Sequence, residues 1–182
     1  MQYNLPKSTC ACDNCKAMCM TSPCLPTPPE AMKIELQHPG EMIPTTWVNM
    51  ITKQAFVVIA PRAGHATIPD STQTLQPCTF FDRETGLCNL HDKNLKPLEG
   101  KIIDHRFGKL STVVIRQLMV DFFWNTQKGT DVLDSMGADF ITREKMLTEV
   151  QPIIDSLQDP PMKVIQAYNK EYKYIKSVWL KK

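Results

Sequence analysis

The sequence predicts an α+β fold, mainly helical, in which a cysteine-rich metal-binding loop and a β-hairpin pack on C-terminal helices. Three features of the chain predict it. Five of the seven cysteines fall between residues 10 and 24, in a stretch that runs into a group of prolines. A short apolar run and a glycine-centred turn follow between residues 55 and 90, and from residue 109 the apolar side chains recur at helical spacing. A length of 182 residues suits one domain. Residues 1–182 are therefore read as a single domain, with a cysteine-cluster region over 8–105 and a helical region over 109–182.

Regular structure is not expected before Pro28 and Pro29, where Thr27 is placed to cap a short helix through Glu30, Ala31, Ile34 and Leu36. The early cysteines then lie on a turning loop that leads into this helix. Residues 55–60, Ala-Phe-Val-Val-Ile-Ala, end at Pro61 and read as a buried strand. Between Cys78 and Leu90, Cys-Thr-Phe-Phe-Asp and Leu-Cys-Asn-Leu flank Arg-Glu-Thr-Gly. That pattern predicts a hairpin turning near Gly86, with Cys78 and Cys88 on paired strands. Leu110, Val113, Val114, Leu118, Val120, Phe122 and Phe123 give residues 109–127 a helical pattern. A second helix is expected over 142–157 with Thr142 as its N-cap, and a third from Met162 to the end. These helices are expected to supply core rather than chemistry.

An apolar fraction of 42% and a charged fraction of 22% are those of a folded protein. A net charge of +2 argues against a nucleic-acid partner, which needs clustered Lys and Arg to displace counterions. The one basic concentration is C-terminal, where Lys163, Lys170, Lys173, Lys176, Lys181 and Lys182 alternate with Tyr168, Tyr172, Tyr174 and Trp179. It reads as a solvated helix face whose aromatics pack on the body. Residues Met1–Lys7 lack the apolar core of a secretory signal, and no later segment has the length of a membrane span. A cytoplasmic location and a reducing compartment are expected, with another protein as partner and no membrane. The odd number of cysteines fits, since any complete pairing leaves one thiol over.

The cysteines are spaced Cys10-x-Cys12-x2-Cys15-x3-Cys19-x4-Cys24, then Cys78-x9-Cys88. A Cys-x2-Cys pair on a turn lets two thiolates face one ion, and a second pair from a distant hairpin closes a tetrahedral shell. The same spacing serves an iron–sulfur cluster. Inert buried thiols are the competing reading, but a proline-rich loop is a poor place to build core. Cys12, Cys15, Cys78 and Cys88 form the minimal shell. Cys10 is the spare, and His91, three residues past Cys88, is a further donor.

The run Cys-x2-Cys-x3-Cys-x4-Cys from Cys12, the following Pro-Thr-Pro-Pro-Glu-Ala, the segment Pro-Cys-Thr-Phe-Phe-Asp-Arg-Glu-Thr-Gly-Leu-Cys-Asn-Leu-His-Asp and Leu-Lys-Pro-Leu-Glu-Gly up to residue 100 together resemble the YkgJ-type cysteine-cluster family. That family is described as zinc- or iron-chelating, and the resemblance covers about half of the chain. Two departures stand out. The family's adjacent Cys-Cys pair is replaced by Met18-Cys19-Met20, with Cys24 as a substitute, and the family's later cysteine is absent where this chain has Asp104-His105-Arg106. The resemblance implies His105 as the replacement ligand, since imidazole suits zinc and some iron sites. Cys19, Cys24, His91 and His105 are then candidates for an expanded or second site. Members occur in bacteriophages as well as bacteria, which adds a virion or assembly component with a structural metal to the expectations.

No phosphate-binding loop, nucleophile elbow or His-Glu-x2-His helix occurs. Asp82, Glu84, Asp92 and Glu99 are the carboxylates positioned to act near a metal-bound water, although turns carry such residues for solubility. The expected function is a metal-binding protein, zinc or iron–sulfur, whose centre stabilises the fold. An iron–sulfur redox protein or enzyme is the alternative.

Overall fold

A computed structural model describes residues 23–62, 78–90, 93–103 and 108–179. Helix α1 (Pro28–Gln37) starts where the prolines place it. Thr27 is its N-cap, and the Glu30 carboxylate reaches back to accept from the Thr27 amide at 3.0 Å. Pro28 costs the first turn no hydrogen bond, because its missing N–H would be an orphan there. The chain then reverses through Gly40, at φ +80°, into strand β1 (Met42–Asn49). Strand β2 (Gln54–Pro61) returns antiparallel, pairing Met42 with Pro61 and Asn49 with Gln54. The sequence pattern predicts β2 but not β1, where Pro44 interrupts the run. A two-stranded sheet has only edges, so a residue without an N–H is tolerated there.

Past residue 90, a short helix α2 (Leu98–Ile102) precedes α3 (Lys109–Met119). Helix α3 does not continue to residue 127 as its pattern suggests. It passes into a π-helical turn, Val120–Trp124, and stops at Asn125. Thr126 then caps a new helix, α4 (Gln127–Ser135), its hydroxyl accepting from the Gly129 amide and donating to the Phe123 carbonyl. Gly129 sits so close to the π turn that a Cβ there would stand 2.6 Å from the Phe123 carbonyl oxygen and press on the Trp124 carbonyl as well. Backbone cannot move aside as a side chain can. Gly129→Ala should therefore destabilise the fold by about 1–3 kcal/mol, read from urea unfolding; a neutral result would mean that α4 swings freely on its cap.

Helix α5 (Phe140–Ser156) begins two residues before the expected start. Its N-cap is Asp139 rather than Thr142, because the Asp139 carboxylate accepts from the Thr142 amide at 2.8 Å. That hydrogen bond holds the Asp139 carboxyl below the usual carboxylate range. The cap is therefore intact above the unfolded-state value and lost as pH falls through the folded one. Helix α6 (Met162–Trp179) completes the described fold, which is α+β and mainly helical.

Helix α3 is the centre of the core. Val114, Ile115, Leu118 and Met119 are almost wholly buried, against Ile34 of α1, Val58 and Ile59 of β2, and Phe80 and Leu90. Each such side chain contributes about 1.5–3 kcal/mol of burial. On its other side α3 packs along α6, and the expected aromatic contacts are largely present. Tyr168 and Trp179 are buried and Tyr172 is half-buried, while Tyr174 stays exposed. Lys176 lies 5.7 Å from the Phe122 ring centre and 5.5 Å from that of Tyr172. Asn49, fully buried, donates to Gln117 at 2.7 Å and to the Tyr168 hydroxyl at 3.0 Å. Gln117 and Tyr172 both donate to Asp121. Burial, then the Asp121 hydrogen bond and charge, push the Tyr172 hydroxyl up. The contact is therefore held in its neutral form below the free tyrosine value, near pH ~10, and its contribution fades as pH rises past it. No helix among the described residues is long and apolar enough to cross a membrane.

Candidate metal centre

The hairpin at residues 78–90 forms, with Gly86 at φ +67° in its turn. Asp82 donates its amide to the Leu87 carbonyl at 2.9 Å, and Asn89 donates to Phe80 at 2.8 Å. Its ladder is a single bridge, Phe81 to Cys88, so Cys78 and Cys88 are not cross-strand partners. The Asp82 carboxylate accepts from the Glu84 and Thr85 amides, an Asx turn that saturates it. Those bonds, the Glu84 amide first, hold the Asp82 carboxyl below its usual range. Its role is to close the turn. A carboxylate spent on two backbone amides is poorly placed to move protons.

Cys24 is held from both sides. The residue before it, Pro23, accepts at its carbonyl from Arg116 Nη2 at 2.9 Å, and the residue after it, Leu25, donates its amide to Glu99 Oε2. Arg116 and Glu99 join each other, Nε to Oε1 at 2.5 Å, with side-chain exposures of 17% and 3%. Glu99 thus closes a loop of contacts around one residue. Burial works against the Arg116 charge, but the charge and hydrogen bond of Glu99, together with Cys24, outweigh it and push the guanidinium pKa up. Two further contacts pin the same segment. Trp124 Nε1 donates to the Pro26 carbonyl at 2.9 Å, and Glu30 accepts from the Leu98 amide at 3.0 Å.

The Leu-Lys-Pro-Leu-Glu-Gly segment acquires a physical role in this arrangement. Pro97 and Leu98 start α2, Glu99 takes the Leu25 amide, and Gly100 lies against Cys24. A Cβ on Gly100 would stand 2.8 Å from Cys24 Sγ and 3.1 Å from Lys96 Cε. The glycine is a matter of space here and not of backbone conformation.

Cys24, Cys78 and Cys88 meet around one apolar cavity of about 20 Å³, lined also by Pro23, Phe80 and Leu90. A void of that size holds one water-sized species. Three thiols, one from Cys24 and two from the hairpin, therefore line one small apolar space. Among the described residues, no three His, Cys, Asp or Glu side chains stand close enough to hold an ion as they are.

Of the other expected ligands, Cys12, Cys15, Cys19, His91 and His105 lie outside the described residues, as do Cys10 and Asp92. Glu84 is exposed on the turn. Glu99, expected as a carboxylate near the hairpin, is instead 2% exposed and committed to Arg116 and Leu25. Arg116 is absent from the sequence-based expectations because its helix reads as core. Its signal is a guanidinium whose helix-face neighbours at i−3, i+3 and i+4 are Val113, Met119 and Val120, which calls for a buried partner. No family model, curated protein or solved structure matches this chain.

Proposed function

We propose that this protein is a cysteine-cluster metal protein whose centre fastens the N-terminal loop and the hairpin to the helical body. The supporting observation is the convergence of Cys24, Cys78 and Cys88 on one apolar cavity. Zinc suits it, being a closed-shell ion that takes four thiolates or three with an imidazole. Cys24, Cys78 and Cys88 supply three ligands in this reading, and one of Cys12, Cys15, Cys19, His91 or His105 supplies the fourth. Ligands this far apart in sequence couple metal binding to folding. The metal would neutralise thiolate charge and cross-link the segments. Its partner in the cell we take to be another protein, which the adjacent exposed side chains of Phe140 and Ile141 suit.

Anaerobic purification followed by elemental analysis and an absorption spectrum tests this. The expected result is a colourless protein with tightly bound zinc, reduced to a small fraction in Cys24→Ser, Cys78→Ser and Cys88→Ser. A brown preparation with iron and sulfide would replace zinc by a cluster at the same cysteines. Wild-type protein without metal, or three variants that all keep their full content, would refute the centre.

A further inference from the structure

We infer that Arg116 and Glu99 are positioning residues for the metal ligand Cys24, holding it in place by gripping the backbone on either side of it. The inference rests on the proposed metal centre and goes beyond it by assigning two residues of the helical region to the site.

Cys24 lies in a stretch of chain, Pro23–Thr27, that belongs to no helix or strand. Nothing in regular secondary structure fixes its direction. Its neighbours do so instead. The Pro23 carbonyl is taken by Arg116 Nη2 at 2.9 Å, the Leu25 amide by Glu99 Oε2, and the two side chains are tied to each other at 2.5 Å. The peptide groups on both sides of Cys24 are thus anchored to α2 and to α3, whose Val114, Ile115, Leu118 and Met119 are buried in the core. Gly100 closes the remaining side, with room for no side chain against Cys24 Sγ. A ligand so held loses little freedom when it binds an ion, whereas a ligand on an unanchored loop must be ordered at that moment.

Arginine is needed rather than a cation in general. Its Nε and Nη2 point in fixed directions and serve the carboxylate and the carbonyl at once. A lysine ammonium at the end of a flexible stem is a single point and does not span both. Groups one step removed from a metal change its affinity by about 10–100-fold when replaced. That effect separates positioning from mere support of the fold.

The test compares Arg116→Lys with Tyr172→Phe in the full chain. Tyr172→Phe removes the hydrogen bond to Asp121 between α6 and the π turn and destabilises the body without touching Cys24. Zinc affinity is measured by competition with a chromogenic chelator. Each variant is also loaded with cobalt(II), whose sulfur-to-metal absorption counts the thiolates bound. Arg116→Lys should weaken zinc binding by about 10–100-fold and lose intensity corresponding to one thiolate, while Tyr172→Phe keeps both within about twofold of wild type. Equal effects in the two variants, or none in either, would overturn the positioning role while leaving the metal centre standing. Wild-type protein that binds neither zinc nor cobalt would overturn the centre itself, and this role with it.

Discussion

If the proposed metal centre is present, stripping it with a chelator, or replacing Cys88 by Ser, should lower the melting temperature by roughly 8–16 °C. Structural zinc sites carry about 10–16 kcal/mol of apparent binding free energy. The core around Val114, Ile115 and Leu118 of α3 uses none of the proposed ligands, so only part of that energy is expected to appear as stability. A third of it, about 4 kcal/mol, corresponds to the stated shift at this chain length. The loss should be local as well as global. Amide exchange should rise first in the hairpin around Cys78 and Cys88, whose own ladder is one bridge, and last in α3. Calorimetry with and without chelator, together with hydrogen exchange, reads both parts. An unchanged melting temperature in the chelated protein would show that the thiols are ordinary core residues.

Glu99→Ala should cost about 3–5 kcal/mol, the penalty for leaving one half of a buried ion pair behind. Two groups lose their partner in that variant. Arg116 keeps a charge without its carboxylate, and the Leu25 amide keeps a donor without its acceptor. The effect should be much smaller when both charges go together, because an apolar pair of similar volume at such a site is often near neutral. Urea unfolding of Glu99→Ala, Arg116→Met and the double variant Glu99→Leu with Arg116→Met separates the pair from its parts. A loss below about 1 kcal/mol in Glu99→Ala would place the pair among surface ion pairs, against the 3% exposure of Glu99.

The sequence by itself determined the elements whose signals are local. The Thr27 and double-proline start of α1, the apolar run of β2 and the Gly86 turn of the hairpin each follow from residues within a few positions of one another. The mainly helical character and the aromatic contacts of α6 also follow from spacing alone. Where the local signal is ambiguous, the chain decided otherwise. Strand β1 contains a proline and pairs only because β2 is opposite it. The apolar run from residue 109 breaks at the π turn, because the Thr126 cap and the missing side chain of Gly129 let α4 start there. Asp139 outcompetes Thr142 as a cap because its carboxylate reaches the Thr142 amide.

For the candidate site, spacing pointed to cysteines acting across the long gap, while tertiary structure decided which of the described ones meet. Cys24, a secondary candidate on spacing grounds, shares a cavity with Cys78 and Cys88. No motif announces that arrangement. It depends on Glu99 and Arg116 finding each other inside the fold and gripping the backbone around Cys24. A buried ion pair is stable only where two helices and a loop have already excluded water together, and that condition is not written in any short stretch of the chain.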